Sequence, residues 1–472
     1  MIFISILILL VAIALPSYQK AISSQFITRI SAIIFIYSGA LSLNALNIQS
    51  IGSGIGIYSG LFHVTIISQL LDGFLLILAG LILIAWPLIT SSYYNKVLNI
   101  TTLLTDDSSS INNLTSKEGL SSSNKFNFIG LYIPRTEYCL IVLFSGLGSS
   151  LLISSSDLLS MYISIELQSF GLYILATLYK DYESATASGL KYFLLGALSS
   201  CFILLGAGLI YTFTGLTNFE SIYTLISVSV PLNSAIINHN FLIKIISGVS
   251  LGFIFIFIGF LFKIAAAPLH SWSPDVYDET PTQVTIWLTI IPKIAILVLL
   301  LELISGLSIN LDYSYLIINN INLSSNIYDV AYSVSYVLKM LLLISSLFSL
   351  IIGTIVGLAQ TRIKRLLAYS TISHLGFILL ALAINTEQSI ESFLFYILQY
   401  SITNLNVFLI IIALGFILNK EGIKIYSNYN FNNIFFFDFD IKFLSSLKGQ
   451  LFNNPILSLS LVICLFSMAG IY

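Results

Sequence analysis

Charged side chains are scarce in this sequence of 472 residues: Asp, Glu, Lys and Arg together make up 8% of it. Soluble domains carry about 25% charged residues, so this shortage excludes a large soluble domain. Hydrophobic residues account for 57% instead, which indicates that most of the chain is surrounded by lipid. The formal net charge of −2 provides no strongly basic surface, so we expect no nucleic-acid partner.

Cysteine is also rare, and Cys139, Cys201 and Cys464 lie far apart in apolar runs. Without a Cys-x-x-Cys pair or a Cys/His cluster, the sequence predicts no disulfide, no metal site and no iron–sulfur cluster. It also lacks the glycine-rich loop after a strand that binds dinucleotides. We therefore expect this chain itself to bind no dinucleotide such as NADH.

Apolar runs long enough for membrane spans recur along the whole chain, since a transmembrane helix needs about 20 such residues. Twelve runs lie near residues 2–16, 29–47, 70–90, 137–154, 158–178, 187–213, 242–267, 284–304, 340–360, 366–384, 392–418 and 454–472. The first lacks the basic segment and Ala-x-Ala site of a signal peptide, so we interpret it as the first span. The prediction is an all-α polytopic bundle, with one transmembrane domain over residues 1–472.

The longest polar breaks between these runs are 94–126, 305–338 and 419–450. The first is rich in Ser, Asn and Asp, which is typical of a solvated loop. The third contains the aromatic stretch FNNIFFFDFD, which we expect on the membrane surface.

Lysine and arginine concentrate in every second break. The positions at or after odd-numbered spans are Lys20, Arg29, Lys96, Lys117, Lys125, Arg135, Lys180, Arg362, Lys364, Arg365, Lys420, Lys424, Lys442 and Lys448. The even-numbered breaks hold only Lys244 and Lys339 at their edges. This alternation is typical of the positive-inside rule and predicts that the N-terminus faces the outer side. We interpret most of these basic residues as markers of orientation only.

Other charges lie inside the apolar runs, where a charge at the bilayer centre costs about 2.5–3.5 kcal/mol on insertion scales. Glu166 is central in its run. Lys263 precedes the Ala-Ala-Ala-Pro segment 265–268, and Lys293 follows Pro292. Proline removes a backbone donor, and a helix break at this depth frees carbonyl groups. Burial disfavours the charged form of a lysine and a nearby carboxylate favours it, so a buried lysine can switch its protonation state.

Three further residues allow two interpretations. His270 follows the predicted break, and both His270 and Lys263 could simply mark the end of a span. Lys191 lies near the start of its run, where snorkelling towards the head groups explains it as well as function does. His374 lies two to three turns into its run, in a patch with Ser370, Thr371 and Ser373, and is either a hydrogen-bonded core residue or a proton relay.

These residues suggest one path. We predict that Glu166, Lys263, Lys293 and His374, each on a different span, form a hydrated proton route across the bundle, with Lys191 and His270 as further candidates. Their spacing in the sequence does not by itself bring them together.

Two segments, which contain Lys263, His270, Lys293 and His374, resemble the proton-translocating antiporter-like membrane subunits. The first, LFKIAAAPLHSWSPDVYDETPTQVTIWLTIIPKIAIL, has that family's lysine, its small-residue and proline break, its His-x-Trp, its Pro-Asp-x-Tyr and its second lysine. The second, QTRIKRLLAYSTISHLGFILL, matches Lys-Arg-x-Leu-Ala-Tyr-Ser-x-Ile-x-His-x-Gly. The family includes Mrp-type antiporter subunits and three membrane subunits of respiratory NADH dehydrogenase. The segment SIELQSFGLYIL around Glu166 resembles one of those three more than the others.

The resemblance, which covers the chain from about residue 140 onward, implies a fold of about fourteen helices with two inverted five-helix repeats, each with a broken helix. It implies N-terminal helices over residues 1–93, a first repeat over 137–304 and a second, incomplete repeat over 340–472. In relatives, the Ala-Gly-Ile of the last run is followed by prolines, Gly-Phe and a lysine. We therefore expect the second broken helix to be cut near its break, so that the family's final lysine has no position here.

The resemblance also implies a function: proton translocation across the inner mitochondrial membrane, with this chain as a membrane-arm subunit of respiratory complex I. FMN, iron–sulfur clusters and ubiquinone would belong to partner subunits, structural phospholipids would surround the helices, and neighbouring antiporter-like subunits would be its partners. Two alternatives remain. One is an Mrp-type sodium/proton antiporter subunit, and the other is a structural spacer in which the buried charges only hold helices together.

Overall fold

The architecture comes from a computed structural model, which describes residues 1–15, 24–48, 54–84, 136–179, 183–229, 239–319, 328–426 and 440–468. In chain order its elements are α1 (Ile2–Ala14), α2 (Ser24–Ile48), β1 (Ile55–Ile57), β2 (Phe62–Val64), α3 (Ile66–Ile84), α4 (Thr136–Ile153), α5 (Leu158–Thr177), α6 (Glu183–Thr214), α7 (Phe219–Ser229), α8 (His239–Ile264), α9 (Ser273–Glu279), α10 (Thr282–Asn319), α11 (Tyr328–Leu358), α12 (Ile363–Ile384), α13 (Glu387–Tyr426), a 3₁₀ turn (Leu444–Leu447), α14 (Gln450–Asn453) and α15 (Pro455–Met468).

Each of the twelve predicted runs coincides with an apolar helix. Within the described residues, nine helices are long and apolar enough to cross a membrane: Gln25–Asn47, Ile66–Ile84, Leu158–Thr177, Glu183–Thr214, Ser247–Ile264, Thr282–Leu307, Val334–Leu358, Ile363–Ile384 and Glu387–Leu418. The other three runs correspond to the shorter apolar helices Ile2–Ala14, Glu137–Ile153 and Pro455–Met468. The prediction of an all-α polytopic membrane protein is confirmed.

Two of the long polar breaks are partly helical. Helix α10 continues to Asn319 and α11 begins at Tyr328, so most of the break 305–338 is helical. In the break 419–450, α13 continues to Tyr426. A helix satisfies its hydrogen bonds internally and so can continue into polar surroundings, whereas hydropathy marks only where the apolar stretch ends. The break 94–126, and FNNIFFFDFD except its last residue, Asp440, lie outside the described residues.

Connections after the second, fourth and sixth spans meet at one end of the bundle, which we call the outer end. There the antiparallel hairpin of β1 and β2 contacts the α4–α5 and α6–α7 connections. The amide of His63 donates to the Ser154 carbonyl at 2.8 Å, and the Asn218 side chain donates to the Gly60 carbonyl at 3.3 Å. Three connections that are distant in sequence are thereby joined.

Connections after the seventh, ninth and eleventh spans meet at the opposite, inner end. The amide of Ile363 donates to the Lys442 carbonyl at 3.1 Å, and the amide of Leu444 donates to the Thr361 carbonyl at 3.1 Å. This grouping agrees with the alternation of basic residues along the sequence. Several basic residues that mark this side lie outside the described part of the chain, namely Lys20, Lys96, Lys117, Lys125, Arg135 and Lys180.

Helix α10 lies at the centre of the bundle, and the most apolar window of its span is wholly buried. It packs against helices from both halves of the chain, including α3, α4, α7 and α13. A helix that is apolar on all sides can lie either in lipid or among other helices, and the lysine within α10 favours the central position, because a charged side chain in a span almost always faces the bundle interior. Lys293 lies within this helix and is 2% exposed.

Small residues let α4 and α5 approach closely, which sets the depth of the helix that carries Glu166. A Cβ added at Gly148 would lie 2.6 Å from the backbone nitrogen of Gln168, and one added at Gly171 would lie 2.9 Å from the Ser145 Cβ. Close backbone approach through small residues is the usual way in which helices associate in lipid.

We expect Gly148→Ala to force α4 and α5 apart and to destabilise the protein by about 1–3 kcal/mol, the usual cost of overpacking. The measurement is the melting temperature and the yield of the purified assembly. Gly208→Ala is the matched control, because nothing lies within 4 Å of a Cβ added to that helical glycine. Equal yield and melting temperature for the two variants would contradict the close packing of α4 on α5.

Candidate functional site

The predicted helix break is present between α8 and α9. Helix α8 ends one residue after Lys263, and Ala265 adopts a left-handed backbone conformation with φ of 67°. The indole of Trp272 donates to the Phe262 carbonyl at 3.0 Å. Pro268 cannot continue a helix, and the Trp272 side chain supplies a hydrogen bond to a carbonyl that the break leaves free. Lys263 therefore lies at the end of a helix inside the bundle.

Glu166 and Lys263 form an ion pair between α5 and α8. Their Oε1 and Nζ atoms are 3.7 Å apart, and the side chains are 17% and 8% exposed. Lys263 Nζ donates a hydrogen bond to Ser169 Oγ at 2.6 Å. At 3.7 Å the pair is held by charge and not by a direct hydrogen bond, and Glu166 Oε1 has no hydrogen-bond partner within the described residues. The two groups can therefore separate without breaking a hydrogen bond between them.

A cavity of about 20 Å³ lies beside the Lys263 side chain, and Gln168, Ser169 and Trp272 are among its lining residues. A volume of about 10–15 Å³ already admits one water. Both polar atoms of the Gln168 amide are buried without a partner in the described part of the chain, so they are available to such a water. Pro292, the residue before Lys293, lines the same cavity and brings α10 next to the ion pair.

Lys293 lies in polar but uncharged surroundings. Its Nζ donates to Thr371 Oγ1 at 3.1 Å and lies 5.4 Å from the centroid of the Tyr277 ring. Among the described residues, no carboxylate lies within ion-pair distance of it. A hydroxyl and an aromatic face are weaker partners for an ammonium group than a carboxylate is. The Lys293 side chain can therefore exist either as a neutral amine or as an ammonium group.

His374 lies one turn beyond Thr371 on α12. Its Nδ1 is 2.8 Å from the Tyr396 hydroxyl, and its ring centroid is 5.7 Å from that of Tyr400. The Tyr400 hydroxyl and both amide atoms of Asn404 are buried without partners among the described residues. A series of polar side chains on α12 and α13 thus begins beside Lys293 and extends past His374.

The structure therefore brings the predicted residues together in two groups, Glu166 with Lys263 and Lys293 near His374. Lys191 and His270 lie elsewhere. Lys191 forms an ion pair with Asp275 at the inner end, and its side chain is 46% exposed. His270 is half-buried, with its ring centroid 6.3 Å from that of Tyr369.

Three of the basic residues at the inner end do more than mark orientation. The Lys364 side chain is 3% exposed, and its Nζ pairs with Asp440 Oδ2 at 2.6 Å. Arg362 and Arg365 bond to Asp278 Oδ2 at 2.5 and 3.0 Å. These basic residues fix α9 and the segment that begins at Asp440 to the start of α12. Their partners are 76 to 87 residues away in sequence, so only the fold reveals the pairing.

Two acidic residues were also missed. Asp72 lies in α3, and its Oδ1 is buried without a partner among the described residues. The sequence could have indicated it as a candidate, because it is a lone acidic residue inside an apolar run. At the inner end, outside the spans, burial raises the pKa of the Glu279 carboxyl, and the charges of Asp275 and Asp278 raise it further. Across the described residues, no cluster of His, Cys, Asp and Glu is arranged to hold a metal ion.

Comparison with known proteins gives a consistent result. The family model for the transmembrane part of NADH:quinone oxidoreductases and Mrp antiporters matches residues 155–324 and 321–471. NADH-ubiquinone oxidoreductase chain 2 of Rhizopus oryzae is 47% identical over 471 residues, which are 100% of this chain and 76% of that protein. NADH-quinone oxidoreductase subunit N of Pelagibacter ubique is 34% identical over 71% of this chain and 59% of its own length.

A solved structure shows the same fold. The respiratory complex I of Thermus thermophilus with bound Aureothin contains a chain that matches with a TM-score of 0.60. The match covers 100% of this chain and 78% of that one, at 22% sequence identity. The described helices therefore have the arrangement of an antiporter-like subunit.

Proposed function

This chain belongs to the NADH:quinone oxidoreductase/Mrp antiporter family, and on that premise we propose that it is a proton-translocating membrane subunit of NADH:ubiquinone oxidoreductase. It is a multi-pass protein of the inner mitochondrial membrane. The 47% identity to a fungal chain 2 favours this function over that of an Mrp-type antiporter subunit. The work of the chain is to move protons, while NADH oxidation and ubiquinone reduction take place elsewhere in the enzyme.

Its partners are other membrane-arm subunits, including neighbouring antiporter-like subunits, and the lipid bilayer. FMN, iron–sulfur clusters and ubiquinone belong to partner subunits in this proposal, and phospholipids cover the apolar faces of the helices. Large exposed apolar side chains along the spans, such as Ile163, Leu194 and Ile355, support lipid contact. Exposed apolar surface of this extent marks a membrane or protein interface.

The Glu166–Lys263 pair beside the helix break is the observation that carries the proposal. A charged pair this deeply buried is expensive in lipid, which makes it a candidate for function. It lies next to a cavity large enough for a water, and it lacks a direct hydrogen bond between its members. A change in the charge of a neighbouring subunit can therefore shift the protonation equilibrium of Lys263, as coupling between sites requires.

The proposed transfer runs from Lys263 to Lys293 and then to His374. When Glu166 moves away, the Lys263 ammonium loses its counter-charge and releases a proton through water to the Lys293 amine. Lys263 becomes an amine and Lys293 becomes an ammonium, so charge is conserved. Lys293 then passes its proton through the polar groups around Thr371 to the imidazole of His374.

An Mrp-type antiporter subunit is the second candidate, because the matching family model covers both classes. Purification through a tag on this chain separates the two. We expect it to bring down a complex that contains flavin and iron–sulfur clusters, oxidises NADH with ubiquinone and acidifies the interior of liposomes when NADH is added outside. A complex without flavin and iron–sulfur clusters that exchanges sodium for protons would instead identify an antiporter.

A further inference from the structure

Three buried threonines occupy one face of α10 between the inner end and Lys293. Thr282, Thr285 and Thr289 follow one another at intervals of three and four residues, and Lys293 comes four residues later. Such spacing places all four side chains on the same face of a helix. The threonines are 5%, 0% and 0% exposed. We call these three residues the threonine row.

Threonine is an unfavourable choice at these positions. Its hydroxyl must be satisfied when it is buried, and its β-branch lowers helix propensity. The hydroxyls of Thr285 and Thr289 donate to the carbonyls of Thr282 and Ile286, at 2.7 and 3.0 Å. Each hydroxyl oxygen keeps acceptor capacity. The row and Lys293 together therefore offer polar groups along about 16 Å of helix, at 1.5 Å per residue.

The row begins at a buried ion pair. Thr282 Oγ1 donates to Asp440 Oδ1 at 2.6 Å, and Asp440 Oδ2 pairs with Lys364 Nζ at 2.6 Å. Lys364 Nζ also donates to the Thr280 carbonyl at 2.7 Å. The two charged side chains are 3% and 6% exposed, so the pair covers the inner end of the row.

The row ends at the second buried lysine, and α12 runs beside it. Lys364 is linked to the inner end of the row through Asp440, and Thr371 accepts a hydrogen bond from Lys293 at the other end. These two α12 residues are seven positions apart, which places them two turns apart on one helix face. The faces of α10 and α12 thus meet both at the ion pair and at Lys293, with the row between.

We propose that the threonine row is the route by which protons reach Lys293 from the inner side, and that the Lys364–Asp440 pair controls access to it. This inference rests on the proposed function. A hydronium ion at the inner end gives its proton to the Asp440 carboxylate and becomes water, and the neutral acid releases Lys364. The proton then passes along the hydroxyls, with water bridging the gaps between side chains whose Cβ atoms are about 5–6 Å apart, and converts the Lys293 amine to an ammonium group.

The test uses the intact complex carrying Thr289→Val, which removes one hydroxyl at nearly constant volume. We expect proton pumping and ubiquinone reduction to fall about tenfold or more, while NADH oxidation by an artificial acceptor stays normal and reports assembly. Thr289→Ser restores a hydroxyl and should restore pumping. Thr28→Val is the matched control, because Thr28 is 1% exposed and its hydroxyl also donates to a carbonyl three residues earlier, but in α2.

Asp440→Asn should produce the same loss as Thr289→Val. If Asp440→Asn does not assemble, because it leaves the buried Lys364 unpaired, the double variant Asp440→Asn with Lys364→Gln takes its place. Normal pumping by Thr289→Val overturns the route. Lys263→Ala then tests the proposed function separately. If the Lys263→Ala complex does not pump, the proposed function stands and only the threonine route fails. If it pumps normally, both the route and the proposed function fail.

Discussion

Replacing Lys263 by alanine should abolish proton pumping while leaving the complex assembled. The variant removes the group that pairs with Glu166 and that lies beside the cavity at the helix break. Positioned proton donors and acceptors contribute about 10²–10⁴-fold to proton-transfer rates, so we expect a loss on the order of 100-fold. The measurement is the number of protons pumped per NADH oxidised by the complex in sealed liposomes.

Lys448→Ala is the control for the loss of a lysine as such, because Lys448 is exposed at the inner end and takes no part in the proposed route. Its pumping should equal that of the unchanged complex. The assembled amount is checked by NADH oxidation with an artificial acceptor. A Lys263→Ala complex that pumps the normal number of protons per NADH would falsify the proposed role of the ion pair.

The structural-spacer hypothesis is tested with both charges removed. Replacing a buried ion pair by neutral groups is often neutral or stabilising for the fold. The double variant Glu166→Gln with Lys263→Gln should therefore assemble, and the spacer hypothesis predicts full activity for it. Our proposal predicts an assembled complex that does not pump, since neither amide takes up or releases a proton at neutral pH. The two hypotheses thus differ in the ratio of pumped protons to NADH, with the yield of complex unchanged.

The positions of the spans and of the buried charges could be predicted from the sequence because both depend on local composition. A run of apolar residues must lie in lipid, and a charge such as Glu166 in the middle of such a run is visible without any fold. The break after Lys263 could also be predicted, because Pro268 acts on its own helix. These features follow from a few neighbouring residues.

The pairing of charges could not be predicted, because it depends on which helices are neighbours. The positive-inside rule assigned Lys364 only to the inner side of the membrane, whereas its side chain is 3% exposed and pairs with Asp440, 76 residues away. Lys191 shows the opposite result, since its ion pair with Asp275 lies at the exposed inner end. Sequence position along a span indicated depth, but it did not indicate the direction of the side chain.

The division of the chain into two inverted repeats stays a prediction. The described residues include one helix break, at α8 and α9, within the proposed first repeat. If the repeats are present, Lys293 closes the first one, on the same helix that contacts α12 of the second through Thr371. A transfer from Lys263 to His374 would then cross from one repeat to the other at Lys293, which gives this residue the central position in the proposed route.

Lys293 must lose its proton for the route to operate, and arginine and methionine test this requirement in different ways. Lys293→Met fills a similar volume but carries no proton, whereas Lys293→Arg keeps the positive charge and does not deprotonate in proteins. We expect both variants to lose pumping on the order of 100-fold. The measurement is again the number of protons pumped per NADH in liposomes, together with the rate of ubiquinone reduction.

The control for a general packing effect is Leu300→Met, a volume-conserving change at a fully buried position of α10. That variant should assemble and pump normally, so a loss specific to position 293 cannot be due to a general sensitivity of this helix. Normal pumping by Lys293→Arg would contradict the route, because it would show that a permanent charge suffices there. A defect in Lys293→Met alone would assign Lys293 an electrostatic role, with the proton passing beside it.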